Sequence, residues 1–333
     1  MEHKTASKLM VAFGLVVGIV VAIAATSYAI LQFGFLSKIK YDSTVNETRP
    51  IETNLEALDV DEAIKGGFAI PVLQEASIKN YLLIGSDRRD QSEHGRSDAM
   101  MILTINEKTK KLHITSLMRA IYVSIPNEPD PNMAQHFSPE YMLNAAHTWG
   151  GPRLLMRTIE RNFRVALDGY FEIDFDSFEA AVNAIGGVRI DLNEAEAYAL
   201  NQELGVGDHF AGTNLLDGKA ALSYSRLRSI DSDFARTGRQ RNVIESLLRQ
   251  SISAGAGRMV DLAQAILPLL KTDVSAGEIT GYLLKLPNYA GFSIDQLMLP
   301  IDGTSEMVYV QGMEMYKIDF AQNVKALHDF MDN

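Results

Sequence analysis

The sequence predicts one α/β domain, layered as α-β-α around a mixed central sheet, behind a single N-terminal transmembrane helix. Short apolar runs alternate with amphipathic stretches from residue 77 onward, which is typical of strands and helices in a layered domain. Two of the apolar runs are separated only by residues 107–110, so we expect an antiparallel hairpin, which makes the sheet mixed. Residues 9–37 contain no charged side chain, which predicts the membrane helix.

The N-terminal apolar run is long enough to cross a bilayer, since a helical span needs about 20 apolar residues. A cleaved signal peptide is the alternative, and Ala22-Ile23-Ala24 resembles a cleavage site, although it lies inside the run. Lysines on both sides of the run leave its orientation open on charge alone. We predict a head at 1–8, an anchor at 9–37, a polar stalk at 38–76 with one helix near 51–64, and a body at 77–333.

The body alternates predicted strands and helices along its length. Strands are predicted at 78–84, 99–106, 111–117, 170–175, 188–192, 292–299 and 306–310. Helices are predicted at 141–149, from 152, at 177–185 with Asp176 as its cap, at 216–227, from about 238, and at 259–267, 276–286 and 320–331. The segment before residue 216, which contains Gly205, Gly207 and Gly212, is predicted to be a loop.

The composition excludes several kinds of chemistry. The chain has no cysteine, which rules out structural disulfides, thiolate catalysis and cysteine-ligated zinc. Its seven histidines have no spacing typical of metal ligands, and the sequence contains no phosphate-binding P-loop and no nucleophile-elbow motif. The formal net charge of -11 argues against general nucleic-acid binding, which needs a basic surface.

Two acids, Asp87 and Asp98, lie at the ends of neighbouring predicted strands and bracket one polar loop. Carboxylate oxygens in such a place suit a hard divalent cation, because Mg²⁺ takes one or two protein carboxylates and completes its shell with water and phosphate. The alternative is that both are ordinary turn acids paired with Arg88, Arg89 or Arg96.

Arginines are concentrated in the stretch 223–241 of this acidic chain, as Arg226, Arg228, Arg236, Arg239 and Arg241. Guanidinium groups bind phosphate and carboxylate oxygens bidentately, so this concentration indicates an anion site. Arg226 and Arg228 precede a predicted loop and Arg236 follows it, so the two groups can converge on one diphosphate. The alternatives are a solvated helix start with Asp–Arg pairs, or a nucleic-acid patch, which the scarcity of aromatic residues disfavours.

Seven motifs, behind an N-terminal membrane span, occur in an order typical of one known family. They are GSDRR (85–89), GRSDAMMI (95–102), SLMRAIYV (116–123), LNAAHTWGGP (143–152), DGYFEIDFDSFEAAVNAIGGVRIDL (168–192), LLDGKAALSYSRLR (215–228) and DSDFARTGRQR (231–241). Together they cover about 78–330, and on them the chain resembles a LytR-CpsA-Psr family protein.

The resemblance implies a phosphotransferase anchored by one span in a cell membrane of the Gram-positive type, with a cytoplasmic head and an extracellular body. Family members move a glycopolymer, such as teichoic acid or capsule, from an undecaprenyl-diphosphate carrier onto peptidoglycan. The polyprenyl tail lies in an apolar pocket, and its diphosphate meets arginines and Mg²⁺ (or Mn²⁺) at the mouth. No nucleic-acid partner is implied.

The resemblance also assigns residues, motif by motif. The metal-associated acids are Asp87 and Asp98, and the diphosphate contacts are Arg96, Arg119, Arg226, Arg228, Arg236 and Gln240. The expected catalytic residues are Asp98, Arg119 and Asp233, the last of which orients an arginine or assists deprotonation of the acceptor hydroxyl. The apolar helix face formed by Val243, Ile244, Leu247 and Leu248 either lines the lipid pocket or packs as plain core.

One position departs from the family pattern. Members commonly have Pro-Arg-Asp where this chain has Met118-Arg119-Ala120. If the missing acid normally braces Arg119, donor binding is expected to differ here or the reaction to be slower. Two other functions use the same residues: a membrane-anchored polyprenyl-diphosphate binding or regulatory protein, such as a transcriptional attenuator of the cell envelope, and a lipid-diphosphate hydrolase.

Overall fold

The computed structural model describes residues 36–42, 70–88, 94–228, 230–253, 265–289 and 291–333. Within these ranges no helix is both long enough and apolar enough to cross a membrane. The predicted anchor at 9–37 lies outside them except for its last two residues, as does the helix predicted near 51–64 and most of the helix predicted at 259–267.

The described residues form a mixed α/β domain. Its strands are β1 Lys40–Tyr41, β2 Ile78–Ser86, β3 Ser97–Asn106, β4 Lys111–Leu117, β5 Tyr122–Ser124, β6 Glu140–Met142, β7 Gly169–Asp174, β8 Val188–Leu192, β9 Gly212–Leu216, β10 Lys271–Thr272, β11 Ser293–Leu299, β12 Ser305–Val310 and β13 Met313–Ile318. Its helices are α1 Ala145–Phe163, α2 Phe175–Ala184, α3 Glu194–Leu204, α4 Gly218–Arg226, α5 Asp233–Ser253, α6 Ala276–Tyr289 and α7 Phe320–Asp332.

Seven strands form the central sheet, in the order β1-β10-β7-β2-β3-β4-β11. The pairs β2–β7 and β4–β11 are parallel, whereas β2–β3 and β3–β4 are antiparallel. The predicted mixed sheet is therefore confirmed, as is the hairpin, in which Asn106 faces Lys111. Because β2 and β7 are parallel, both end at the same edge of the sheet, with Ser86 opposite Asp174.

Successive side chains of a strand point to opposite faces, and β2 shows how this separates two cores. Leu82 and Ile84 pack in the core beneath α1 and α7, while Tyr81 and Leu83 pack on the other face, with α6 and part of α5. A third apolar cluster joins α2, α3, α4 and the start of α5 to the β8–β9 hairpin. Both faces of the sheet are thus covered, as the layered α-β-α prediction required.

Several predicted boundaries need correction. Helix α2 is capped by Asp174, whose side chain accepts a hydrogen bond from the Ser177 amide, and not by Asp176. Residues 141–142 belong to β6, so α1 begins at Ala145, and it bends at Gly150 and Gly151. The supposed loop before residue 216 contains α3 and β9. Helix α5 begins at Asp233, about five residues earlier than predicted, because Ser232 caps it.

Both ends of the predicted stalk at 38–76 pack on the domain. Residues 40–41 form β1, the edge strand beside β10, and Ile39 is buried. At the other end, the amide of Leu73 donates to the Arg164 carbonyl oxygen over 2.8 Å. A two-residue strand carries no sequence period, so this segment could not be distinguished from a linker.

Candidate active site

An apolar cavity of about 390 Å³ lies between the central sheet and helices α2, α4 and α5. The sheet lines it with side chains such as Leu83, Met101 and Phe171. Helix α5 lines it with the four residues predicted for a lipid pocket or a plain core, Val243, Ile244, Leu247 and Leu248. The polar lining gathers at the edge where β2 and β7 end, and consists of Asp98, Asp174, Ser225, Arg226 and Gln240.

Asp98 reaches the cavity because β3 carries a bulge. Gly85 of β2 faces Ala99, but the next residue, Ser86, faces Ser97, so Asp98 is the extra residue. Without a bulge, Asp98 and Ala99 would point to opposite faces of the sheet. Here both line the cavity.

Helix α5 supplies the second part of the site from its first two turns. Asp233 and Arg236 are three residues apart and form an ion pair, with Oδ1 2.9 Å from Nη1. Gln240 follows one turn later, and its side-chain amide donates to the Asp98 carbonyl oxygen over 3.3 Å. Residues at this spacing share one face of the helix, so α5 presents an acid, an arginine and an amide in a row.

Arg119 joins the two parts. Its Nε donates to Asp233 Oδ2 over 3.0 Å, and its Nη1 lies 3.7 Å from Asp98 Oδ1. The structure therefore brings all three predicted catalytic residues into contact. Arg236, on the other side of Asp233, is only 2% exposed. Burial lowers the pKa of Arg236, and the nearby positive charges of Arg119 and Arg228 lower it further.

The guanidinium group of Arg236 is not fully satisfied by its hydrogen-bond partners. Arg236 Nε is buried without a hydrogen-bond partner among the described residues. A buried donor without an acceptor costs free energy, and a bound anion would remove that cost.

Arg226 and Arg228 leave α4 on the open side of the cavity, and both are exposed. The Arg226 guanidinium lies 4.7 Å from the centre of the Phe175 ring. An aromatic face holds a guanidinium by cation–π attraction without using its N–H donors. Arg226 is therefore positioned and still able to bind an anion.

Asp87 and Arg96 form a separate pair across the loop between β2 and β3. The Arg96 amide donates to Asp87 Oδ1 over 2.5 Å, and the Asp87 amide donates to the Arg96 carbonyl oxygen over 3.0 Å. Gly95 makes this closure possible, because it has φ of +69° and a Cβ there would lie 2.9 Å from the Arg88 Cα. Among the described residues, these bonds join Asp87 and Arg96 to each other and do not link them to the Asp98–Arg119–Asp233 group.

Two further residues at this edge, Asp174 and Phe175, were not predicted from the sequence as part of the site. Asp174 lines the cavity, and its Oδ2 lies 3.7 Å from Arg88 Nη2. Phe175 carries Arg226 on its ring. A signal was available, since Asp174 ends a strand parallel to β2, and the carboxyl ends of parallel strands share one edge.

Arg239, one of the arginines concentrated in 223–241, is a structural residue. It is 2% exposed, and it donates two hydrogen bonds to the Asp231 carboxylate, over 2.6 and 2.8 Å. A third goes to the Leu227 carbonyl oxygen over 2.6 Å. These bonds hold the connection between α4 and α5, and with it the spacing of Arg228 from Arg236.

Arg119 is held by acidic side chains even though Ala120 stands where the family pattern has an acid. Ala120 is nearly buried, and its carbonyl oxygen accepts from the Tyr316 amide over 2.8 Å. Asp233 and Asp98 supply the negative charge that the family pattern places at this position.

A buried contact between a glutamate and a histidine supports the sheet edge from the opposite face. Glu172 Oε1 lies 3.5 Å from His147 Nε2, and both side chains are almost fully buried. Burial alone would raise the pKa of Glu172, but His147 and the positive charge of Arg88 outweigh it and lower the pKa to about 2.

We expect this pair to make stability pH-dependent. The pKa of Glu172 is lower in the folded state than its ordinary value of 4.5, so its stabilisation is complete above about pH 4.5 and is lost as the pH falls toward 2. The loss is about 2 kcal/mol, from about 1.4 kcal/mol per pKa unit with a discount for coupling. Urea unfolding at a series of pH values is expected to show that Glu172→Gln loses less unfolding free energy at acid pH than the unaltered protein does. An equal loss of unfolding free energy in the two proteins would contradict this role of Glu172.

Fold and site together define a mixed α/β domain with an apolar cavity whose open edge carries fixed arginines and acids, suited to an amphiphile with an anionic head. The chain belongs to the LytR_cpsA_psr family, whose model matches residues 35–330. The family resemblance seen in the sequence is therefore confirmed.

Several curated relatives share one name. The polyisoprenyl-teichoic acid–peptidoglycan teichoic acid transferase TagU of Oceanobacillus iheyensis is 32% identical over 239 residues, 71% of this chain and 70% of the relative. The protein of that name from Halalkalibacterium halodurans is 28% identical over 308 residues, 89% of this chain and 90% of the relative.

Solved structures have the same fold. A structure of TagT bound to LI-WTA superposes with a TM-score of 0.62 at 26% identity, covering 78% of this chain and 93% of that one. A structure of the LytR-CPS2A-psr family protein YwtF (TagT) with bound octaprenyl pyrophosphate lipid gives a TM-score of 0.59 at 22% identity, covering 86% of this chain and 98% of that one.

Proposed function

We propose that this protein is a transferase that moves a phosphorylated glycopolymer of the teichoic acid class from a polyprenyl diphosphate onto peptidoglycan. One observation carries the proposal. A single face of α5 changes along its length from Asp233, Arg236 and Gln240 to Val243 and Leu247, and so matches a diphosphate followed by a hydrocarbon tail. The names of the curated relatives and the lipid bound to TagT support the same donor and reaction.

The donor's tail lies in the cavity. Its lining is apolar except at the open edge, and its volume of about 390 Å³ is in the range of ordinary ligand pockets. Each methylene group removed from water there contributes about 0.8 kcal/mol, so even part of a polyprenyl chain binds well.

The diphosphate lies at the edge, where Arg226 and Arg228 approach from α4 and Arg119 and Arg236 from the other side. Guanidinium groups held in place by Phe175 and Asp233 need little reorganisation when charge builds up on the transferring phosphoryl group. Asp233 already binds both Arg119 and Arg236, so its role is to orient them. The alternative, that Asp233 takes the proton of the acceptor hydroxyl, fits less well because Arg119 and Arg236 already engage both of its carboxylate oxygens.

Asp87 and Asp98 are the residues that would hold Mg²⁺ or Mn²⁺. The described residues contain no cluster of three His, Cys, Asp or Glu side chains, but a metal bound mainly by phosphate and water requires only one or two carboxylates. Asp98 fits, because the bulge puts its carboxylate at the polar edge of the cavity. When bound, the ion would neutralise charge on the phosphoryl oxygens.

In the reaction, a sugar hydroxyl of the acceptor attacks the phosphorus that carries the glycopolymer. The bond from that phosphorus to the bridging oxygen breaks, polyprenyl phosphate leaves, and the proton of the attacking hydroxyl is released to water. The chain's part is to hold the diphosphate and to stabilise its charge, which is what phosphoryl transfer mainly requires. The proposal includes a body on the outer face of the membrane, anchored through residues 9–37.

The test is a transfer assay with the full chain in detergent, a polyprenyl-diphosphate-linked teichoic acid precursor, Mg²⁺ and an uncrosslinked peptidoglycan oligomer. We expect glycopolymer linked to the oligomer, and loss of that product when a chelator is added and its return with Mg²⁺. Free phosphorylated polymer formed without acceptor would instead identify a hydrolase. Donor binding without any product would identify a binding or regulatory protein.

A further inference from the structure

The β12–β13 hairpin lies directly beside the Arg119–Asp233 pair. The Tyr316 amide donates to the carbonyl oxygen of Ala120, the residue after Arg119, over 2.8 Å. The Tyr316 ring packs against Phe234, the residue after Asp233, with ring centres 5.4 Å apart. One residue of the hairpin thus contacts the neighbours of both members of the pair.

The face of the hairpin that begins at Tyr316 continues outward as an exposed strip. Met307 is paired with Tyr316, and two residues further along the same face Tyr309 is paired with Glu314. Met307 is 52% exposed and Tyr309 is 71% exposed. The Tyr309 hydroxyl donates to Glu314 Oε1 over 2.8 Å, so the strip ends in a fixed ring beside a carboxylate.

The position of this strip follows from the geometry of the transfer. In phosphoryl transfer the attacking and leaving oxygens lie roughly in line, so the acceptor approaches from the side opposite the polyprenyl phosphate. The cavity lies on the Asp98 side of Arg119, and the hairpin, whose Tyr316 packs against Phe234, lies on the Asp233 side. No residue of the hairpin is among the described residues that line the cavity.

We propose that the strip formed by Tyr316, Met307, Tyr309 and Glu314 binds the glycan strand of the acceptor peptidoglycan. This deepens the proposed function and rests on it. A sugar ring has an apolar C–H face and a rim of hydroxyl groups. An exposed tyrosine and a methionine offer an apolar surface for the face, and the Glu314 carboxylate accepts hydrogen bonds from the rim.

The test uses the full chain and a soluble, uncrosslinked peptidoglycan oligomer, with Kd measured by calorimetry and KM measured in the transfer assay. Tyr309→Ala and Met307→Ala are each expected to raise the Kd and KM for the oligomer about tenfold, the loss of about 1.4 kcal/mol. The KM for the lipid-linked donor is expected to stay within about twofold, since the strip lies away from the cavity. Tyr198→Ala is the matched control, because Tyr198 is 68% exposed on α3.

Each result decides one question. Equal oligomer Kd and KM in Tyr309→Ala and the unaltered protein would overturn the assignment, as would an equal effect of Tyr198→Ala or a matching rise in donor KM. If the unaltered protein binds the oligomer through Tyr309 but transfers nothing, the proposed function fails and the glycan surface stands.

Discussion

Replacing Arg226 with alanine is expected to lower kcat/KM for polymer transfer by about a thousandfold or more, with the fold unchanged. Arg226 is exposed at the edge of the cavity and is held by the Phe175 ring, 4.7 Å away. An arginine that meets the transferring phosphoryl group contributes about 10³-fold to 10⁵-fold to such reactions. The measurement is the initial rate of glycopolymer transfer over a range of donor concentrations.

The control for this variant is Arg249→Ala. Arg249 lies on α5 with its side chain 56% exposed and pairs with Glu245 one turn earlier. A surface pair of this kind contributes little, so transfer is expected to stay within about twofold. Equal activity of Arg226→Ala and the unaltered protein would show that the anion binds elsewhere. Lys at position 226 is expected to restore little activity, because an ammonium group cannot bind two oxygens in one plane.

Replacing Asp233 with asparagine is expected to reduce both stability and transfer. The carboxylate binds Arg119 Nε and both terminal nitrogens of Arg236, which is 2% exposed. Removing its charge leaves a buried guanidinium without a counter-ion. The cost is about 2 kcal/mol of unfolding free energy, below the roughly 3–5 kcal/mol of a fully buried pair because the Asp233 side chain is a quarter exposed. Transfer is expected to fall about a hundredfold, since two arginines lose their orientation.

The change in unfolding free energy is measured by urea unfolding, followed by the fluorescence of Trp149, the one tryptophan of the chain. Asp231→Asn is the comparison, because Asp231 pairs with the equally buried Arg239. It is expected to share most of the loss of stability and to keep at least tenfold more transfer activity than Asp233→Asn. If the two variants lose activity equally, Asp233 acts only through the fold.

The strongly patterned elements could be predicted from the sequence. The β3–β4 hairpin and β11 are rich in apolar residues, and α7 repeats its apolar residues at helical spacing, so each was located within two residues. Helix α3 was missed, although Asn193 and Glu196 form a capping box at its start. Its small buried stripe of alanines and one leucine gives a weak period, and the glycines that follow suggested a loop.

The site could be predicted in its residues but less well in its arrangement. The spacing of Asp98 from the strand edge gives no sign of the bulge that turns it toward the cavity, because a bulge depends on pairing with another strand. The start of α5 could have been found from Ser232 and Asp233, a cap followed by an acid in the first turn. That start places Asp233, Arg236 and Gln240 on one helical face from the sequence alone.

The residues just before the edge strand β1 bear on how a lipid reaches the cavity. Residues 36–38 pack against 267–269, and Ile266, Leu267 and Leu270 line the cavity. The proposed anchor therefore ends against the cavity wall, with no free tether between them. If that anchor spans the bilayer, a polyprenyl tail can pass from membrane to protein without crossing open water. Each exposed methylene would otherwise cost about 0.8 kcal/mol, so a long carrier lipid could be exchanged without a high barrier.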